Sequence, residues 1–323
     1  MNEKTVAVRE SRILHFPVMM FAIVMGFSGL TLVYQKAASW MDYPHIIASS
    51  LAGIDTLIFL IIASIYLAKV ALYKDEVKKE ISHPVRINFF AAISISLLLL
   101  SSIYHEINHT IATYLFYLGA SLQTFFTFYT ISFWINRNME VQHSNPAWFI
   151  PIVGNVIAPI GGSGIVNYEV LMYFFSVGIF FWIVFLTIIM NRIIFHHQLA
   201  QKFIPTFFIF IAPPAVGMVS YIKMTDSFDL FASFLYNIAL FFTFLLIFMG
   251  KNFLKLKFFI SWWAFTFPLA AVSIASLLAY KKTGLLFYGT ISNILIILTT
   301  VVVAIVAFQT IKHMFKKEIC IAE

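Results

Sequence analysis

Residues 84–104, PVRINFFAAISISLLLLSSIY, and residues 109–135, HTIATYLFYLGASLQTFFTFYTISFWI, are separated only by the short joint HEIN. A transmembrane helix needs about 20 predominantly apolar residues, and each of these runs is long enough. The first run begins with Pro84, whereas the second contains no proline. The pair therefore predicts a helical hairpin in a membrane, with proline confined to its first helix.

The composition extends this conclusion to the whole chain. Of the 323 residues, 61% are hydrophobic and 11% are charged, whereas soluble domains average about 25% charged residues. Too few charged residues are available to cover a soluble surface, which excludes a soluble enzyme, a nucleic-acid-binding protein and a disordered protein. Cys320 is the only cysteine, so no disulfide and no thiolate metal site can form within one chain. The remaining class is a polytopic membrane protein.

Ten segments of the chain are apolar enough to be membrane helices. They are residues 16–34, 45–72, 84–104, 109–135, 146–164, 168–193, 203–223, 228–249, 258–280 and 284–313. The joints between them are short and polar, so no soluble domain fits between segments. The predicted organisation is a cytoplasmic N-terminal segment at 1–15, a ten-helix transmembrane domain at 16–313 and a cytoplasmic C-terminal tail at 314–323.

The distribution of lysine and arginine predicts the orientation in the membrane. If the N-terminus is cytoplasmic, seventeen basic residues lie inside and four lie outside. The four outside are Lys36, Lys223, Lys281 and Lys282. Cytoplasmic loops carry an excess of basic residues, so both termini are predicted to lie inside, in the inner (plasma) membrane. The net charge of +7 is mainly a sign of this topology, with anionic lipid headgroups as possible partners and no role for nucleic acid.

Proline placement predicts how the ten helices are arranged. Only Pro44 lies between segments, and the other nine of ten prolines lie in the first, third, fifth, seventh and ninth segments. One proline from each odd segment gives intervals of 67, 67, 62 and 55 residues: Pro17, Pro84, Pro151, Pro213 and Pro268. This pattern indicates five repeated helical hairpins. Proline frees backbone carbonyls, which are tolerated in a bilayer only inside protein or beside water, so the odd helices should be inner and the even ones outer.

Four sequence motifs carry a resemblance to a known family. They are FPVMMFAIVMG at 16–26, SHPVR at 82–86, NPAWFIP at 145–151 and WWAFTFP at 262–268. Together they resemble the tellurite-resistance/dicarboxylate transporter family, which includes bacterial TehA and the slow-type anion channels of plant guard cells. The resemblance implies an all-α homotrimer, with five hairpins in quasi-fivefold arrangement around a central pore in each protomer.

The resemblance also implies roles for individual residues. The second phenylalanine of the WAFTF stretch, Phe267, corresponds to the residue that gates the pore. The residues expected to line the pore or bend its helices are Pro17, Ala22, Gly26, Pro84, Pro151, Pro213 and Pro268. Ala22 departs from the family pattern, which often has glycine there, and the extra methyl group is expected to narrow the pore slightly. Helix geometry, independently of the resemblance, predicts that Phe265, two residues before Phe267, points elsewhere and packs in the protein.

Other polar residues have less specific interpretations. Arg86 either attracts anions at the inner mouth or simply marks the cytoplasmic side. Asp55 lies well inside an even segment, where an acidic residue is costly; it has a structural role or carries a proton. Serine and threonine residues of the odd helices either contact ions or pack helices together. The histidines lie near segment ends, so no metal site and no cofactor is expected.

These features predict an anion channel rather than an enzyme. The pore has few fixed charges, so it should bind small inorganic anions such as chloride or nitrate, or small organic anions, weakly and let them pass quickly. The alternative is a proton-coupled carrier for dicarboxylate, sulfite or tellurite-related anions. Carriers typically keep a binding site near the bilayer midplane, and no basic residue lies near the middle of an odd segment.

Overall fold

The structure is a computed structural model that describes residues 11–321. Within that range the chain is helical and forms no strand, apart from an isolated bridge between Ser163 and Val166. The prediction of an all-α protein is therefore confirmed. The outermost parts of the predicted N-terminal segment and C-terminal tail, residues 1–10 and 322–323, lie outside the described residues.

Ten long helical segments follow one another: α1 Val18–Met41, α2 His45–Leu72, α3 Arg86–Tyr104, α4 His109–Ile135, α5 Pro146–Gly162, α6 Tyr168–Phe195, α7 Gln201–Thr225, α8 Leu230–Phe248, α9 Ile260–Thr283 and α10 Leu286–Phe315.

Eight of these helices are long and apolar enough to cross a membrane, which is fewer than the ten predicted. The two that differ are α4 and α5. Helix α4 has 27 residues but carries threonine, tyrosine and glutamine along its length, and these lower its hydropathy. Helix α5 is apolar but belongs to a shorter class of 10–17 residues. By length and composition alone, therefore, eight of the ten helices could cross a membrane.

The odd helices are each built from two kinds of helical turn. In α1, α3, α7 and α9, a 3₁₀ segment comes first and an α-helix follows; α5 alternates between the two twice. The 3₁₀ segments are Val18–Met20, Arg86–Phe90, Pro146–Trp148 with Gly154–Ile157, Gln201–Ile211, and Ile260–Phe265. The described even helices are continuous α-helices.

The prolines explain part of this construction. Pro159 and Pro213 are each the second residue of an α-helical segment, and Pro214 and Pro268 are each the third. Proline has no N–H and so cannot donate to the carbonyls of the preceding 3₁₀ turn, which favours a change of helical backbone at this point. These four prolines therefore lie where a 3₁₀ turn ends and an α-helix begins.

Burial separates the odd helices from the even ones. The most apolar windows of α1, α3, α7 and α9 are 72–89% buried, whereas those of α2, α6, α8 and α10 are 22–44% buried. Each odd helix packs against the next, and α9 packs against α1, so that their contacts close into a ring. The even helices lie outside, each in contact with the odd helices on either side of it. This agrees with the expectation that the odd helices are inner.

Short polar elements connect the helices. Helix Lys74–Ile81 follows α2, and a single turn at Lys251–Leu254 follows α8. Helices α4, α6 and α8 begin at residues whose side chains accept hydrogen bonds from the first-turn N–H groups, as is typical of N-caps. These residues are Asn108, Asn167 and Asp229. The pKa of Asp229 lies below its usual value because its carboxylate accepts hydrogen bonds from the Tyr221 hydroxyl and from these N–H groups.

Candidate functional site

Two cavities lie within the ring of odd helices, and the described residues that line them come from the odd helices or directly follow them. We name the cavity toward the helix N-termini the N-side cavity and the other the C-side cavity. Their volumes are about 70 Å³ and about 300 Å³. Among the described residues, none that lines the N-side cavity is charged, and Thr206 and Ser261 provide its hydroxyl groups.

The lining of the N-side cavity repeats every third residue. The triplets are Met19, Ala22 and Met25 from α1; Phe89, Ala92 and Ile95 from α3; Ile150, Val153 and Val156 from α5; Thr206, Ile209 and Ala212 from α7; and Ser261, Ala264 and Phe267 from α9. Side chains at i and i+3 eclipse one another in a 3₁₀ helix. Four of the triplets begin in a 3₁₀ segment, and that of α5 ends in one.

The C-side cavity follows a different spacing. Its lining residues in α1 are Leu32, Lys36 and Trp40, four residues apart, as expected on one face of an α-helix. In α9 the spacing alternates between three and four through Phe267, Ala271, Ile274, Leu278 and Lys281. The change of spacing coincides with the change from 3₁₀ to α-helical backbone.

Three side chains line both cavities and therefore lie between them: Ile157, Val216 and Phe267. We call these three residues the constriction. The Phe267 side chain is buried, with 9% of the residue exposed. Phe267 is the second residue of the α-helical part of α9, and Pro268, which follows it, lines the N-side cavity. The residue singled out in the sequence as a gate thus occupies an apolar narrowing between two cavities.

Helix α1 approaches the constriction through two glycines. A Cβ atom on Gly29 would lie 2.8 Å from the Ala270 Cβ and 3.4 Å from Phe267 Cδ2. A Cβ on Gly26 would meet Trp263 Cε3 at 2.8 Å. Both glycines therefore permit close packing of α1 on α9. Gly26 was expected to line the pore or bend a helix, but it contacts α9 and is absent from the lining of either cavity.

The other sequence-predicted residues divide into two groups. Ala22, Pro213 and Pro268 line the N-side cavity. Pro17, Pro84 and Pro151 line neither cavity; Pro17 directly precedes the first 3₁₀ segment, and Pro151 is buried within α5. Arg86 is exposed at the start of α3 and also lines neither cavity. Phe265 packs against the Phe208 and Phe253 rings at centroid distances of 4.8 and 5.8 Å.

Most polar side chains of the inner helices bond to protein rather than face the cavities. The Pro151 carbonyl accepts hydrogen bonds from Gln123 Nε2 and Thr127 Oγ1 of α4, both at 2.8 Å. The Val156 carbonyl accepts one from the Ser220 hydroxyl. Carbonyl groups of the irregular helix α5 are thus satisfied by side chains of neighbouring helices, which favours the helix-packing interpretation of these residues.

Asp55 takes part in a contact that recurs along the chain. It is fully buried on α2, where the Ser28 hydroxyl of α1 donates to its Oδ2 at 2.5 Å. In the next hairpin, Ser94 donates to Gln123 Oε1 at 2.7 Å. The Asp55 Oδ1 has no hydrogen-bond partner among the described residues. The recurrence places Asp55 at a position where an even helix bonds to its odd neighbour.

The start of α1 is held by a buried ion pair that the sequence interpretation missed. Glu80 Oε1 accepts a hydrogen bond from the Val18 N–H at 2.7 Å. Its Oε2 lies 2.9 Å from Lys69 Nζ and accepts from the Tyr66 hydroxyl at 3.1 Å. Lys69 also donates to the Phe16 carbonyl. Glu80 lies in the polar joint after α2, and a single acidic residue in a run such as KDEVKKE carries no signal of burial.

Metal-binding geometry is not found in the described part of the chain, where no group of three histidine, cysteine or acidic side chains converges. His105 and His109 lie with ring centroids 5.3 Å apart. His105 lines the C-side cavity just after α3. Burial lowers the pKa of His105 below its usual value, and the nearby positive charge of Lys223 lowers it further.

Comparisons with known proteins show the family to which the chain belongs. A family model described as SLAC1, voltage-dependent anion channel, matches residues 15–311. The S-type anion channel SLAH2 of Arabidopsis thaliana is 30% identical over 274 residues, which cover 82% of this chain and 53% of the plant protein. SLAH3 of the same plant is 29% identical over 94% of this chain and 49% of its own length, so the chain spans about half of these two relatives.

Two microbial relatives match over most of both chains. The tellurite resistance protein TehA homolog of Haemophilus influenzae is 24% identical, over 85% of this chain and 86% of its own. The uncharacterized transporter MJ0576 of Methanocaldococcus jannaschii is 28% identical, over 81% and 82%. The resemblance inferred from the four motifs is confirmed, and the matched family is one of channels and transporters, not of enzymes. The chain belongs to the SLAC1 family of membrane anion channels and transporters.

Proposed function

We propose that the chain is an anion channel of the TehA type, which passes small monovalent anions through a pore within each protomer. The observation that carries this proposal is the pair of cavities along the axis of the ring of odd helices, separated only by Ile157, Val216 and Phe267. A continuous path forms when the Phe267 ring moves aside. Phe267 acts as the gate because an apolar constriction excludes water and therefore hydrated ions.

The chemistry of the path determines which anions pass. An anion that crosses the constriction leaves water and meets apolar groups, and no described residue of the N-side lining is charged and able to replace its hydration. The cost is lower for large, weakly hydrated monovalent anions, so nitrate and iodide should pass more readily than chloride. Bi-ionic reversal potentials measure this order, and a preference for chloride would contradict it.

The assembly is part of the same proposal. Ten helices span the inner (plasma) membrane as five hairpins in quasi-fivefold arrangement, with both termini cytoplasmic and the N-side cavity facing the cytoplasm. Residues 16–313 form the channel domain. Three protomers associate, each with its own pore, and lipid contacts the exposed apolar faces of the even helices. Ala22, Pro213 and Pro268 line the pore, whereas Gly26, Pro17, Pro84 and Pro151 shape its helices; Arg86 attracts anions near the inner mouth.

The test compares two phenylalanines of α9. Phe267→Ala removes the ring between the cavities, whereas Phe265→Ala removes a ring that packs against Phe208 and Phe253 and lines neither cavity. In planar bilayers with purified protein, we expect Phe267→Ala to raise the single-channel conductance or open time severalfold. Phe265→Ala should leave both unchanged. Equal currents from wild type and well-folded Phe267→Ala would contradict the gate.

A proton-coupled carrier for dicarboxylate, sulfite or tellurite-related anions is the second candidate, and Asp55 is the observation that favours it. Asp55 is a fully buried carboxyl group, and one of its oxygens has no partner among the described residues. Proteoliposome flux separates the two: a channel gives rapid, uncoupled currents, whereas a carrier gives saturable uptake driven by a pH gradient. Uptake that requires the pH gradient and disappears in Asp55→Asn would favour the carrier.

A further inference from the structure

The C-side cavity carries charged groups that passage through the constriction does not require. Four lysines line it: Lys36 of α1, Lys223 of α7, and Lys281 and Lys282 of α9. These are the four basic residues that the sequence places on the opposite side from the other seventeen. Two acidic residues, Glu106 and Asp226, lie in the same lining.

The acidic residues are already engaged with two of the lysines. Lys36 forms an ion pair with Glu106. Lys282 forms one with Asp226 and donates a second hydrogen bond to its backbone carbonyl at 2.8 Å. The Lys282 pair holds the pKa of Asp226 below its usual value, so this carboxylate is charged.

The remaining two lysines have no carboxylate partner in the described part of the chain. Lys281 Nζ lies 4.5 Å from the centroid of the Trp40 ring, and Lys36 Nζ lies 5.6 Å from the same ring. Lys223 lines the same cavity, where it is influenced by the positive charges of Lys36 and Lys281 and by the negative charge of Glu106, with which it forms no ion pair. With two of four lysines paired, the formal charge of the lining is +2.

We propose that the C-side cavity is a binding site for divalent oxyanions, such as sulfate, held by the Lys223 and Lys281 ammonium groups. A charge of +2 in a cavity of about 300 Å³ matches a dianion with part of its hydration shell. Coulomb attraction is proportional to the charge of the ligand, so a dianion gains twice the interaction energy of chloride at the same distance. The unpaired groups therefore favour divalent over monovalent anions.

The site has a consequence that rests on the proposed function. A dianion holds its water more tightly than chloride does, and the apolar constriction beside it offers no polar replacement. The bound dianion stays in the C-side cavity and occupies the path of smaller anions. Sulfate on that side should thus inhibit the flux of monovalent anions without passing through.

Binding is tested on the purified full-length protein, without reference to transport. Trp40 lies against Lys36 and Lys281, so its fluorescence should change when an anion binds. The chain has six tryptophans, and comparison with Trp40→Phe shows which part of the fluorescence change comes from Trp40. Sulfate and chloride are titrated at constant ionic strength. Removal of one unit charge about 6 Å from the anion in a water-filled cavity should weaken sulfate binding roughly tenfold and chloride binding roughly threefold. Lys223→Gln and Lys281→Gln are the test variants, and the exposed Lys255→Gln, outside the cavity, is the control.

The outcomes separate the site from the channel. Tighter binding of sulfate than of chloride, weakened in Lys223→Gln and Lys281→Gln but unchanged in Lys255→Gln, supports the site. Equal affinity for the two anions, or sulfate binding that survives both substitutions together, overturns it. Chloride flux blocked by sulfate in wild type and relieved in the double variant supports the consequence. If no variant conducts any anion, the proposed function fails, and the fluorescence titration still decides the site.

Discussion

Substitution of Gly29 by alanine tests whether close packing of α1 on α9 controls the constriction. The added Cβ would lie 2.8 Å from the Ala270 Cβ, whereas ordinary contacts begin at 3.4 Å, so the two helices must separate by several tenths of an ångström. Overpacking of this kind costs about 1–3 kcal/mol. Alanine recovers about 0.5–1 kcal/mol over glycine within a helix. The expected net loss of folding free energy is about 0–2.5 kcal/mol.

The matched control and the rescue come from the same structure. Gly53 lies on the exposed face of α2, and a Cβ there would meet nothing within 4 Å. Gly53→Ala should therefore stabilise the protein by about 0.5–1 kcal/mol. In Gly29→Ala with Ala270→Gly, the clashing methyl group is gone. The coupling between the two substitutions should equal the overpacking cost, about 1–3 kcal/mol.

Unfolding in detergent measures the stability, and bilayer currents measure the gate. The added methyl group would lie 3.4 Å from Phe267 Cδ2, so it should restrict movement of the ring and reduce the open time. Currents should return when Phe267→Ala is introduced into the Gly29→Ala protein. The reasoning would be refuted if Gly29→Ala were as stable as Gly53→Ala, or if Ala270→Gly gave no rescue.

Three further predictions concern buried or charged groups. Glu80→Gln leaves Lys69 without a charged partner and should cost about 3–5 kcal/mol in unfolding experiments, because an uncompensated buried charge remains; a loss below 1 kcal/mol would contradict this. Asp55→Asn keeps an acceptor for its serine partner, so anion currents should be unchanged in a channel, and their loss in folded protein would count against a structural role. The pKa of His105 is lower in the folded protein than in the unfolded chain, so the free energy of unfolding should fall as the pH drops below about 6.5. Lys223→Gln should raise the pKa of His105 in an NMR titration. An unchanged pKa would show that the charge of Lys223 does not act on His105.

The hairpin plan was predictable from the sequence because two independent signals agree. Apolar runs long enough to span a bilayer mark the helices, and proline marks every second one. The odd helices are indeed the buried ones. Phe267 lines both cavities, and its role as a gate stays a prediction. These features depend on local sequence, which a single chain displays.

The 3₁₀ segments were not predictable for a physical reason. Met19, Ala22 and Met25 recur with period three, but they lie in a run where their neighbours are also apolar. A helical period can be read from a sequence only where apolar residues alternate with polar ones, and membrane helices contain few polar residues. The positions of the prolines indicated irregular helical backbone, but they could not show that this backbone is 3₁₀-helical.

The charged lining of the C-side cavity was missed because it is assembled from distant parts of the chain. Lys36, Lys223 and Lys281 belong to the first, fourth and fifth hairpins. Along the sequence, each of these lysines is an isolated basic residue on the predicted outer side, where basic residues are rare. Only the closed ring of odd helices brings them to one cavity.

The 3₁₀ segment Gln201–Ile211 restricts which changes of length the chain can tolerate. It has three residues per turn and rises about 2 Å per residue, so one inserted residue turns everything before it by about 120°. Thr206 would then leave the cavity lining while Ile209 stayed in it. Three inserted residues would return Thr206 to the same face, about 6 Å further along the axis. Insertions and deletions in this segment should therefore be tolerated only in multiples of three residues, because only these keep the same side chains facing the cavity.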